Sequence, residues 1–179
     1  MASGLGAYKA VKIGAYPVAF VDFNLITEKS VRKDFAAAYR YFQNALLVSG
    51  SDPRALETLE ARGEIRRATL DKLIADRLIY GELEVRLKDD FKAIADKNIE
   101  QYIQNNQNIS EGAEKIYGLS LADFKDQVLL PQAYKEILEG RMFLNKENFN
   151  EWLKNKKSGA RVIILSPELQ WDGNSVKLR

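Results

Sequence analysis

Two of the side chains that enzymes use most are missing from this sequence. Its 179 residues include no histidine and no cysteine. Without imidazole the chain lacks the commonest general base and metal ligand. Without thiols it has no thiolate nucleophile, no thiolate metal site and no disulfide. Ser-His-Asp and Cys-His arrangements are ruled out with them. Carboxylates remain, and Glu82/Glu84 and Asp89/Asp90 are the closest pairs to an acid/base constellation. Both fall in charge-balanced helical stretches, where solvated surface is the expectation. The basic group Lys154, Lys156, Lys157 and Arg161 would suit an anionic partner. At a helix C-terminus such residues complement the dipole, and a solvated cluster is expected. Gly4 and Gly6 do not complete a dinucleotide fingerprint, and no Walker motif is present. Asn108-Ile109-Ser110 matches a glycosylation sequon, a pattern common by chance. The expectation is a protein without catalytic residues, metal or cofactor, and not an enzyme.

Composition narrows the alternatives. Lysine and arginine number 27 against 25 acidic residues, a net charge of +2, too balanced to argue for nucleic acid. No run of about 18 apolar residues exists, so no membrane contact is expected from this chain itself. The absence of cysteine suits an oxidising exterior and a reducing cytoplasm equally. What the chain does carry is aromatic surface: eight Tyr, eight Phe and two Trp. Helices with a gap between them form apolar grooves that take extended or helical peptides. Tyr39, Phe42, Tyr80, Tyr102 and Phe124 are the positions that could line one.

The elements that would position these residues follow from periodicity. Ala55–Lys88 is the longest periodic segment. From Ile65 to Leu87 it reads as a long amphipathic helix with Leu70, Ile74, Leu78 and Val85 on the stripe and Leu73 and Leu87 widening it. Gly63 predicts a kink or a break there. Residues 1–15 read as a flexible tail. Residues 16–26 read as a strand, and Thr27 as the cap of a helix over 28–47. That helix carries Val31, Phe35, Tyr39, Phe42 and Leu46 on one face, with core packing as the expected role of its aromatics. Tyr41 sits off the stripe and is expected to be exposed.

Asp52-Pro53 restarts the chain after Ser49-Gly50-Ser51. A stripe from Phe91 to Tyr102 predicts a helix to about Gln104. Ser110 caps a short helix to Tyr117, ended by Gly118. Ser120 caps a longer one to about Leu138, which Pro131 should kink or divide, with Gly140 as its stop. Asn145 reads as the cap of a helix over 146–156. Residues 161–165 are a strand, Asp172-Gly173-Asn174 a turn and 175–178 a final strand. The fold class expected is mainly α with a small antiparallel β element. Strand 18–23 pairs with 161–165, and a C-terminal β-hairpin (160–178) closes a single helical domain over 16–179.

Leu70–Leu87 and Glu114–Leu138 also carry a resemblance. With Leu73-Ile74, Leu78-Ile79, Gly118-Leu119-Ser120 and Phe124 in register, residues 67–141 resemble the N-terminal, substrate-binding domain of SurA-type and PrsA-type foldases, a trigger-factor-like helical fold. The strand Tyr16–Thr27 resembles the one that precedes the first helix in that family. Its turn there usually reads Val-Asn-Gly, where this chain has Val21-Asp22-Phe23-Asn24. The parvulin isomerase domain of that family uses histidines that this chain lacks. The resemblance implies a non-enzymatic chaperone that binds unfolded or extended polypeptides. It also implies an extracytoplasmic setting with an N-terminal membrane anchor not contained in this sequence. The alternative is a structural or assembly protein that uses the same helical surface, above all helix 28–47, for one partner or for a homodimer.

Overall fold

The computed structural model describes residues 15–179. The expected tail over 1–15, with Gly4 and Gly6, falls outside the described residues except for Ala15. The chain is mainly helical, with one three-stranded and one two-stranded antiparallel sheet. Strand β1 (Pro17–Val21) turns back through Asp22-Phe23 into β2 (Asn24–Thr27). The single strand expected over 16–26 is therefore a tight hairpin. Asp22 takes a positive φ of 53°, which Asp tolerates better than most residues. Phe23 projects into solvent at the tip, 98% exposed.

Helix α1 (Glu28–Val48) follows directly. Thr27 caps it as expected, its hydroxyl accepting from the Ser30 N–H at 3.3 Å. A short 3₁₀ turn (Pro53–Glu57) is capped by Asp52, and Thr58 then caps α2 (Leu59–Leu87). Helix α2 is 29 residues long and runs through Gly63, so the expected break is absent. A helical φ there costs a glycine only its entropy. The small side also lets strand β5 approach: a Cβ at Gly63 would lie 3.6 Å from a Leu178 methyl.

Helix α3 (Asp90–Asn105) and the short α4 (Ile109–Gly112) come next, α4 continuing as a π turn over Ala113–Tyr117. Gly118 ends it at φ 67°, the left-handed stop expected there. Ser120 caps α5 (Leu121–Phe124), which passes through a second π turn (Lys125–Leu129) into α6 (Leu130–Leu144). The division expected at Pro131 is replaced by this wider winding just before it, which keeps the helix continuous. Gly140 does not stop α6. Asn145 is its C-cap rather than the next N-cap, and Asn148 caps α7 (Phe149–Gly159) through Glu151 N–H at 3.0 Å.

The C-terminal strands sort differently from a single hairpin. Strand β3 (Val162–Ile164) pairs with β1, Phe20 opposite Ile163, in the sheet order β2-β1-β3. That is the expected pairing of N-terminal and C-terminal strands. The hairpin itself is β4 (Leu169–Trp171) with β5 (Val176–Leu178), turned by Asp172–Ser175.

Helix α2 is the common wall of two cores. Leu70, Ile74 and Leu78 face Val18, Val21, Ile26, Val31, Leu169 and Val176. Ile79 and Leu83 face Phe91, Leu138 and Met142 of α3 and α6. The apolar stripe thus rotates from one core to the other. Val85, expected on the stripe, is 79% exposed, while Leu83 is fully buried. The basic cluster is not merely solvated either. Lys157 Nζ lies 2.9 Å from Asp71 and Lys156 Nζ 3.1 Å from Glu82, clamping α7 onto α2.

An apolar groove between α1 and α2

Helix α1 reads small-then-aromatic, Ala36-Ala37-Ala38 followed by Tyr39-Arg40-Tyr41-Phe42. Alanines cannot fill the space between α1 and α2, and that space stays open. It forms a groove of about 650 Å³ floored by α2 at Ile65, Ala68 and Thr69, with the π turn at Gln127–Leu129 as its far lip. Tyr41 and Phe42 stand at its rim, 42% and 43% exposed. The volume falls within the range of ordinary ligand sites, roughly 300–1,000 Å³. From Ile65 to Asp76 the floor runs about 16 Å at the α-helical rise, the length of about five extended residues.

Three contacts hold the lips apart and in place. Tyr41 stacks on Tyr117 at 5.4 Å, and Tyr117 packs against Phe124 at 5.3 Å. Asn44 Nδ2 donates to the carbonyls of Lys115 and Ile116 at 2.7 and 2.8 Å, satisfying acceptors that the helix end leaves open. Lys33 Nζ reaches Asp123 at 3.1 Å, tying α1 to α5. Burial pushes the Tyr117 hydroxyl pKa up, and neighbouring Tyr41 and Tyr102 add to the effect.

One end of the groove is polar. Lys72 Nζ lies 2.8 Å from Asp76 and 3.2 Å from Asp34. Burial pushes the Asp76 carboxyl up, an effect that Lys72 only partly offsets. Burial also works against the Lys72 ammonium, but the two carboxylates outweigh it and hold its pKa above the ordinary lysine value. Gln127 Oε1 is buried at the far lip with no hydrogen-bond partner. A ligand matching this lining has an apolar body.

The five expected binding aromatics separate. Phe42 lines the groove. Phe124 is buried behind it, against Tyr117. Tyr39 points to another face, stacked with Phe35 at 5.9 Å and under the Arg62 guanidinium at 5.6 Å. Tyr80 packs edge-on to Phe91 and Tyr134 and borders a separate hollow of about 190 Å³. Tyr102 is half exposed and does not line the groove. On α1 the aromatics expected to be core are not fully buried; of the expected stripe, Val31 alone is. Tyr41 and Tyr117 are the groove residues that the stripe did not single out. Their one local signal is the alanine run beside Tyr41, which leaves room there without fixing what faces it.

Among the described residues no cluster of His, Cys, Asp and Glu could hold a metal ion, and no helix is long and apolar enough to cross a membrane. No family model matches the chain, and neither a curated protein nor a solved structure matches it.

Proposed function

We propose that the chain is a non-enzymatic polypeptide-binding protein of the holdase kind, with the α1–α2 groove as its peptide site. The observation that carries this reading is the open apolar groove with an aromatic rim. Apolar walls give affinity without sequence specificity. The resemblance of residues 67–141 to SurA-type substrate-binding domains points the same way and supports an extracytoplasmic setting. A binding role also fits a chain with neither imidazole nor thiol.

The test is a fluorescence-anisotropy titration with a labelled extended apolar peptide, run beside light scattering of an aggregating client. Ala68 is an exposed position on the groove floor, so Ala68→Trp should plug the groove and leave the fold intact. The expected result is peptide binding and suppressed aggregation for the wild type, both lost in Ala68→Trp with unchanged circular dichroism. Failure of the wild-type protein to bind the peptide or protect the client overturns the reading.

A further inference from the structure

A second hollow, of about 730 Å³, opens on a different face of α1 and α2, against the β4–β5 hairpin. Its apolar wall is Phe35, Leu59 and Leu178, and its polar wall includes Arg32, Arg62 and Arg66. The three guanidiniums are not equally committed. Arg66 spends both terminal nitrogens on Glu28, at 3.3 and 2.8 Å. Arg32 reaches the same carboxylate through Nε alone, at 3.2 Å, which leaves its terminal N–H groups open. Arg62 has no carboxylate within ion-pair distance among the described residues, and its guanidinium lies over the Tyr39 ring at 5.6 Å. A cation–π contact does not use the guanidinium N–H groups as donors, so they stay available for a carboxylate. Glu168 is the acid at this rim, and it too makes no ion pair among the described residues. With Arg179, four arginines line the hollow, against the carboxylates of Glu28 and Glu168. Beside them Leu59, 91% exposed, offers an uncovered apolar surface.

We infer that this hollow is a docking site for a carboxylate-bearing peptide segment, an acidic side chain next to an apolar one. Arg62 and the free edge of Arg32 take the carboxylate, and Phe35, Leu59 and Leu178 take the apolar neighbour. The excess of arginine suits an acidic group, and the apolar wall of Phe35, Leu59 and Leu178 favours one carried on a peptide over a free inorganic anion, which has no apolar part to bury. The site shares no lining residue with the α1–α2 groove, so it stands whether or not that groove binds peptide.

The test uses a capped, labelled peptide with one glutamate between two leucines, its glutamine twin, and inorganic phosphate, each titrated into the intact chain at low salt. Amide NMR shifts report the place of binding. The glutamate peptide is expected to bind about tenfold more tightly than the glutamine twin. Its shifts should centre on Arg32, Arg62 and Leu178. Arg62→Gln, at an exposed position, should erase the difference between the two peptides without changing the fold. Leu59→Ser should weaken the glutamate peptide and leave its advantage over the twin. Equal binding of the two peptides, shifts confined to the Tyr41–Gln127 groove, or competition by phosphate at equal concentration would each overturn the inference.

Discussion

Replacing Arg66 by methionine should cost this protein a large fraction of its stability, through a carboxylate that it leaves behind. Glu28 is 5% exposed at the start of α1, under the β1–β2 hairpin. Its carboxylate accepts from Arg66 at 2.8 Å and from Arg32 at 3.2 Å. Burial alone would push the Glu28 carboxyl up, but the two guanidiniums outweigh it and hold its pKa below the usual glutamate value. Breaking a buried pair by removing one partner costs about 3–5 kcal/mol. Two features reduce that here: the Arg66 side chain is 25% exposed and Arg32 remains. The expected loss for Arg66→Met near neutral pH is about 2 kcal/mol. The sign with pH follows from the lowered folded pKa. The pair contributes its stability above the unfolded value of 4.5 and loses it as pH falls through the lower folded one. Urea melts of wild type and Arg66→Met should therefore diverge at neutral pH and converge in acid. In the double variant with Glu28→Gln the losses should fall short of additivity, because no charge is stranded. A loss below about 0.5 kcal/mol at neutral pH, or a loss that does not shrink in acid, would refute the reasoning.

Three further outcomes are expected. Gly81→Ala should raise stability by about 0.5–1 kcal/mol in a thermal melt, since Gly81 is interior to α2 and nothing lies within 4 Å of the new Cβ. Leu70→Ala should cost about 2–5 kcal/mol in urea melts, while Val85→Ala, on the same helix but exposed, should change stability by less than about 0.5 kcal/mol. Asp71→Ala should cost about 2 kcal/mol and speed hydrogen exchange at the Val176 amide, because Asp71 accepts from that N–H at 3.0 Å and from Lys157 at 2.9 Å.

Local signals were legible because they depend only on neighbouring residues. Thr27, Asp52 and Ser120 cap where their types and positions predict, and Gly118 stops a helix where a left-handed residue is needed. The apolar runs at 17–21 and 162–164 became strands that pair, since neither could be satisfied alone. The breaks and the stop expected at glycine and proline are absent. Gly63, Pro131 and Gly140 all sit in continuous helix, because packing and a π turn outweigh costs of a few kcal/mol at most.

The candidate sites were a different matter. Periodicity placed Phe35, Tyr39 and Phe42 on one stripe and predicted a common fate. The partners of α1 divide them, since the stripe is wider than the line of contact with α2. Phe35 meets the arginine hollow, Phe42 the groove, and Tyr39 the Arg62 guanidinium. Tyr117 joined the groove only because the chain between α3 and α5 returns beside Tyr41, a contact between residues 76 positions apart. The sequence alone determined the long helices, the caps at Thr27, Asp52 and Ser120, the pairing of β1 with β3 and the absence of imidazole and thiol, which follow from residue type and short-range spacing. Tertiary structure alone decided where two helices fail to fill the space between them, and which guanidinium is left without a carboxylate. Gaps and unpaired charges are set by distances between elements that no local pattern encodes.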